Sequence, residues 1–283
     1  MPEGDTVWRT ARNLDRALSG SVLLESQFRV PAYATLDLSG RRVIETVARG
    51  KHLLTRFDGG SGGGSGITVH THLKMEGSWH LNRRGSRWRR PAHQARVVLR
   101  TEDWTGVGFS LGIVEVIGTT QEKDVVGHLG PDLLGPDWDA DEAVRRLGER
   151  PQRPVSEALL DQRNLAGVGN MYQSELCFLL GLNPWLPVGS VPDLRKLVTR
   201  AKAVLEANKE RTAQTTTGDL RRGYQHWVYR RGRQPCRRCG TPVDAQTSKE
   251  DGSTREGTRD AGRERDTYWC PRCQPDRPHR DPG

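Results

Sequence analysis

No stretch of this 283-residue sequence approaches the roughly 18 consecutive apolar residues that a membrane-spanning helix needs. The opening segment, PEGDTVWRTARNLDR, carries charge where a secretory leader would be apolar. A cytosolic chain is the expectation. Cysteine is scarce, five residues in all, which excludes a disulfide-dense secreted scaffold. Lysine is scarce too: seven of the 44 basic residues, the rest being arginine. Arginine suits bidentate phosphate contacts, and a genomic base-composition effect would give the same count. Acidic residues number 35, leaving a formal net charge of +9 and a pI near 9.7. That surplus implies an acidic partner, nucleic acid or an anionic surface.

The first four residues, Met1-Pro2-Glu3-Gly4, have chemical potential. If Met1 is removed, which a small second residue permits, the chain begins with a secondary amine. Such an amine attacks carbonyl-type carbons and forms an iminium, as catalytic lysines do. An α-amino group is also less basic than a lysine, roughly pKa 8 against 10.4. Glu3 places a carboxylate beside it, where a general acid/base is wanted. Taken alone, the four residues also read as a turn-forming leader.

Val7, Ala11, Leu14 and Leu18 recur at helical spacing behind a cap at Asp5 or Thr6, and Gly20 would end that helix. β character follows at 22–30, 42–48, 52–57, 67–72, 94–101 and 109–117, with turn residues between, which suggests a β-sandwich. Residues 58–66, DGGSGGGSG, read as a solvated loop. Residues 83–90, RRGSRWRR, form a basic loop that is either solvated or in contact with phosphate. The character changes near residue 125. Helices are expected after Asp137 or Asp139, over 155–162, after Asn170, and after Pro192. Three segments result: a domain at 1–125, a helical domain at 126–231, and a cysteine hairpin with its tail at 232–283.

Residues 164–170, NLAGVGN, make a compact double turn leading into a helix. Gly167 and Gly169 would let the backbone approach a ligand closely, and amides at a helix N-terminus point at anions. Physically this is a phosphate cradle. Residues 220–239 then carry seven arginines and no acid, interleaved with Tyr224, Trp227 and Tyr229, a composition suited to nucleic-acid backbones. Cys236-x2-Cys239 and Cys270-x2-Cys273 supply four thiolates for one structural Zn²⁺ with no open position. Thirty residues separate the two pairs, more than the roughly 15–20 of most zinc ribbons. The excess lies at 248–263, a polar run read as an extended or disordered hairpin tip. Cys177 has no partner cysteine near it and reads as buried packing.

The start MPEG, the GKHL stretch at 50–53, the string LLDQRNLAGVGN running into YQSEL, and the four-cysteine hairpin occur in that order. Together they resemble the formamidopyrimidine-DNA glycosylase/endonuclease VIII family, base-excision repair enzymes whose N-terminal proline is the nucleophile. The PEGDT start resembles an endonuclease VIII-like subgroup. The resemblance implies an α+β protein of two domains that binds DNA in the cleft between them. One is an N-terminal β-sandwich with a leading helix. The other is a C-terminal helical domain with a helix–two-turn–helix motif and a zinc β-hairpin.

It implies a bifunctional glycosylase/AP lyase that acts as a monomer on duplex DNA carrying a damaged base or abasic site. Pro2 would be the nucleophile and Glu3 the acid, with cleavage by β,δ-elimination. Lys51 would contact DNA near the damaged nucleotide and assist catalysis. Met75 would fill the gap left by the extruded base. Asn170 would bond phosphates beside the lesion, and Arg265 would contact phosphate from the hairpin, with Arg263 as an alternative. Where the purine-directed branch carries Arg-Arg-Phe, this chain has Phe109-Ser110-Leu111, so Leu111 is a second wedge candidate and oxidised pyrimidines are the expected substrate. Oxidised purines remain the alternative. The rival readings from other classes are a catalytically silent zinc-containing DNA-binding protein and an RNA-binding zinc ribbon.

Overall fold

A computed structural model describes residues 2–60, 63–249 and 264–276, with the backbone alone at 248–249 and 264–265. The chain divides into two compact units, Met1–His128 and Leu129–Gly283.

The first unit begins with α1 (Gly4–Leu18). Its stripe of Val7, Ala11, Leu14 and Leu18 is fully buried in one core with Phe28, Leu53, Phe57, Val69, Val97 and Leu99. Gly20, at φ 80°, turns the chain out of the helix. Eight strands follow: β1 (Glu25–Phe28), β2 (Val43–Arg49), β3 (His52–Phe57), β4 (Ile67–His72), β5 (Ser78–Arg83), β6 (Ala95–Arg100), β7 (Trp104–Phe109) and β8 (Ile113–Gly118). They form two antiparallel four-stranded sheets, ordered β1-β6-β7-β5 and β2-β3-β4-β8. A short helix, α2 (Glu122–Val126), ends the unit.

Two strands depart from the sequence reading. β5 was not expected, because SWHLNR is half-buried from Ser78 to Asn82 and shows no clean alternation. β7 carries Gly106 and Gly108, which read as turn residues. Both are there for packing: a Cβ on Gly108 would lie 2.5 Å from Leu111, and one on Gly106 would lie 3.3 Å from Leu18. The expected strand at 109–117 is therefore the end of β7, a turn at Ser110, and β8.

The second unit contains α3 (Ala140–Gly148), α4 (Val155–Leu160), α5 (Asn170–Leu179) and α6 (Leu194–Asn208), then the hairpin β9 (Asp244–Lys249) and β10 (Glu264–Trp269). Asp139 caps α3 through its carboxylate, and Asp193 caps α6. The central helix is α5, buried from Asn170 to Phe178 on every side, with Leu159, Leu165, Leu197 and Leu205 packed around it. The two-domain α+β architecture expected from the sequence is thus present. From 250 to 263 the polar hairpin run lies outside the described residues, as does Arg263. No helix among the described residues is long and apolar enough to cross a membrane.

Gly130 meets the start of the double turn. A Cβ there would lie 2.5–2.7 Å from backbone atoms of Arg163 and Asn164, which cannot swing aside. Gly130→Ala should lower unfolding stability by about 1–3 kcal/mol. Urea denaturation of the variant against wild type measures this.

Candidate active site and nucleic-acid interface

In the first unit, Glu3 stands at the N-cap of α1 in extended conformation, and its carbonyl accepts the Val7 amide at 3.0 Å. Its side chain is 0 % exposed, and Asp5 in the first turn is buried as well. Both carboxylates sit at the positive end of the helix dipole. Pro2, directly ahead of them, is half-buried. The head of α1 thus holds a half-buried Pro2 directly ahead of a fully buried carboxylate, both joined to a packed helix. Met1 lies outside the described residues.

Lys51 follows Gly50 (φ 57°) in the two-residue turn joining β2 to β3, closed by the Arg49–His52 pair. A glycine at the first central position is what a type II′ hairpin turn demands. Lys51 itself is half-buried. Met75 lies in the turn after β4. Leu73 anchors that turn in the core, the Gly77 amide bonds the Leu73 carbonyl at 2.9 Å, and Met75 is left 44 % exposed. Lys74 in the same turn takes φ 50°, a strained value for a residue with a Cβ. Leu111 is 8 % exposed and belongs to the core cluster with Leu73.

Beneath these turns lies a group of histidines that the sequence marked only as strand residues. His52 Nδ1 and His70 Nε2 are 2.8 Å apart, and His70 Nδ1 is 2.9 Å from Glu115. The carboxylate accepts from His70 Nδ1–H, so His70 Nε2 must accept from His52 Nδ1–H. One carboxylate thereby sets both tautomers and ties β3, β4 and β8 together below Lys51. Burial holds His70 below the ordinary histidine range and His52 well below it, with His72, His70 and His128 adding repulsion at His52.

In the second unit, Gln162 braces the double turn. Its amide donates to the Leu160 and Val168 carbonyls at 2.9 Å and accepts the Gly167 amide at 2.9 Å. Gly167 takes φ 113°, and Gly169 is the N-cap of α5. Asn170 opens α5. Its Nδ2 donates to the Asp266 carbonyl at 2.9 Å, and its Oδ1 has no partner among the described residues. The Asp266 carbonyl fixes the amide orientation and leaves a second N–H on Nδ2. Asn170 is thus tied to β10, the strand that carries Arg265, which pairs across the hairpin with Ser248.

Glu175 was not singled out by sequence reasoning. It is fully buried in α5 and accepts the amides of Trp227, Val228 and Tyr229 at 2.8 Å each, as well as the Thr216 hydroxyl. Its donors lie more than forty residues away in sequence, so no local signal marks it. It fixes the arginine-rich segment on the helix. Part of that segment is structural: Arg231 is buried and donates to the Trp227 and Pro235 carbonyls at 2.6 and 2.7 Å. Others lie over aromatic rings, with Arg221 and Arg237 each 4.7 Å from the Tyr224 centroid.

The four cysteines converge. Their sulfur atoms all lie within 4.8 Å of one another, with Cys239–Cys270 at 3.4 Å and Cys236–Cys273 at 3.9 Å. A tetrahedral ion with Zn–S near 2.3 Å sets sulfurs roughly 3.8 Å apart, whereas a disulfide needs about 2.05 Å. The cluster fits a metal and not two disulfides. Cys177, by contrast, is buried in α5, and burial pushes its thiol up to about 12.

These features meet in the comparisons with known proteins. The formamidopyrimidine-DNA glycosylase N-terminal domain model matches residues 1–110, and the formamidopyrimidine-DNA glycosylase H2TH domain model matches 129–219. The chain belongs to the formamidopyrimidine-DNA glycosylase/endonuclease VIII family. It is 54 % identical over 277 residues to the probable endonuclease 8 2 of Streptomyces coelicolor, covering 97 % of this chain and 94 % of that one. It is 47 % identical to the DNA-(apurinic or apyrimidinic site) lyase Nei2 of Mycolicibacterium smegmatis, covering 97 % and 99 %. In fold it is similar to Lactococcus lactis Fpg solved with abasic-site DNA, with a TM-score of 0.73 at 20 % identity, covering 96 % and 99 %.

The buried histidines give a pH signature. Unfolded, each takes up a proton below about pH 6.5; folded, His52 and His70 resist it. Stability is therefore complete above about pH 6.5 and falls as pH drops toward 5, by up to about 1.4 kcal/mol per pH unit for each histidine. Urea unfolding at pH 7.5, 6.5 and 5.5 measures the slope. His52→Gln combined with His70→Gln should flatten it to what His80 and His226, also held low by burial, contribute.

Proposed function

We propose that this chain is a bifunctional DNA glycosylase and AP lyase of base-excision repair. The observation that carries the reading is the half-buried Pro2, whose nitrogen is a secondary amine once Met1 is removed, directly ahead of the buried Glu3 carboxylate at the head of α1. A base inside a duplex is out of reach of any nucleophile, so the nucleotide is flipped out. The Pro2 nitrogen attacks C1′ of the deoxyribose and the base departs with the bonding electron pair. Glu3 protonates the ring oxygen, the ring opens, and an iminium links Pro2 to C1′. Loss of a C2′ proton expels the 3′ phosphate. A second elimination expels the 5′ phosphate, and hydrolysis frees the amine.

Lys51, Asn170 and Arg265 grip phosphates beside the lesion, and the amides around Gly167 and Gly169 cradle one more. Exposed Met75 fills the gap in the stack, with Leu111 supporting it from the core. The four cysteines would hold one zinc ion, which supplies a crosslink for a hairpin too small to have its own core and takes no part in the chemistry. Oxidised pyrimidines are the substrate class, since Phe109-Ser110-Leu111 stands where the purine-directed branch carries Arg-Arg-Phe. The enzyme works as a monomer in the bacterial cytoplasm, on nucleoid DNA.

Borohydride trapping on a duplex with one abasic site tests the reading. Wild-type protein that begins at Pro2 should give a covalent adduct. One added residue ahead of Pro2 turns the amine into an amide and should abolish it, while binding to the same duplex persists. No adduct from zinc-loaded wild type would leave a silent DNA-binding protein as the better account. Glu3→Gln should slow release of thymine glycol by about 10²- to 10⁴-fold, and an 8-oxoguanine duplex run alongside ranks the two lesions. Metal analysis should find one zinc per chain, and Cys270→Ser should lower that content and the melting temperature together.

A further inference from the structure

The basic loop between β5 and β6 is not used in this scheme, and its structure gives it a role. From 83 to 101 the chain carries seven arginines and no acidic residue. Gly85, at φ 79°, turns the loop back on itself. Trp88 then seats it on the outer face of the β1-β6-β7-β5 sheet, where it packs with Ala95, Val98, Val107 and Phe109, its ring 5.8 Å from that of Phe109. Arg29 lies over the same indole at 5.4 Å. The loop is therefore anchored, not waving.

Its arginines divide into two sets. Arg90 faces inward and makes a junction. Its guanidinium donates to Gln94 at 2.9 Å, to the Glu76 carbonyl and the Ser78 hydroxyl at 3.1 Å, and to the Ser110 hydroxyl at 3.4 Å. Glu76 belongs to the Met75 turn, so Arg90 fastens the loop to that turn. Arg84, Arg87 and Arg89 face outward. They are exposed and make no ion pair among the described residues. Three exposed guanidinium groups in a stretch without an acidic residue suit an anionic partner.

We propose that this loop is a second nucleic-acid contact, in which Arg87 and Arg89, flanking Trp88 toward the Met75 turn, and Arg84, at the opposite end of β5 beside Asp103, grip the phosphate backbone of duplex DNA. The partner follows from two facts. Guanidinium forks match phosphate oxygens, and Arg90 couples the loop to the turn that, on the reading above, enters the duplex. The contact carries no base readout; it adds affinity for duplex of any sequence.

The test is equilibrium binding of an undamaged duplex across a salt series, wild type against a triple variant with Arg84→Gln, Arg87→Gln and Arg89→Gln. All three side chains are exposed, so the fold should tolerate the change; the single variant Arg87→Gln guards against failure of the triple. Each lost phosphate contact makes the slope of log K against log salt shallower by about 0.9. The triple variant should therefore be shallower by about 2 to 3, and the single by about 1. An unchanged slope overturns the proposal. So does competition by polyglutamate as effective as that by duplex DNA of equal charge, which would make the loop a general anion surface. Because the readout is binding to intact DNA, it holds whether or not the wild type forms a borohydride adduct, and the two readings fail separately.

Discussion

On the proposed reading Pro2 acts as a nucleophile at the chain's start, which requires that it be held still, and α1 does the holding. Its buried stripe of Val7, Ala11, Leu14 and Leu18 fastens the helix into the core shared with both sheets. Glu3 and Asp5, buried at the helix head, leave Pro2 a short and rigid distance from that core. Termini fray because nothing fixes them; here the residue after Pro2 is the cap of a packed helix. The rest of the first unit presents two turns that the β-ladders fix in place. The Lys51 turn is set by the Arg49–His52 register, and the Met75 turn by Leu73 below it and Arg90 beside it.

The second unit solves a different problem, placing irregular backbone accurately. It uses buried polar side chains with near-complete hydrogen bonding. Gln162 holds the double turn, Asn170 ties the helix end to β10, and Glu175 binds three backbone amides of the arginine-rich segment. Such groups are costly unless satisfied and give a defined geometry when they are. The cysteine cluster extends the same logic, since Phe178 of α5 packs with Cys236 and Cys270 in one small core. The hairpin is thereby fixed to the helix that carries Asn170.

What the sequence revealed was whatever is written in local spacing. The α1 stripe, the Asp139 cap, the helix after Pro192, the glycine double turn and the two Cys-x-x-Cys pairs each depend on residues a few positions apart. What stayed hidden depends on residues far apart in sequence. β7 was lost because its glycines are there to admit Leu111 and Leu18, a reason visible only in three dimensions. Glu175 was passed over because its amide partners come from residues 227–229. His52 and His70 were correctly placed in strands, but their bond to each other and to Glu115 arises from sheet register. Arg90, one arginine among many in 83–90, is distinguished only by the four groups it joins.

The central claim is that the α-amine of Pro2 forms the covalent bond to DNA. Its most direct test is to reduce the complex of enzyme and abasic duplex with borohydride, digest protein and DNA, and sequence the crosslinked peptide by mass spectrometry. The account predicts the sugar remnant on the nitrogen of Pro2, in the peptide that begins PEGDTVWR. A remnant on Lys51, or on any other lysine, would contradict it.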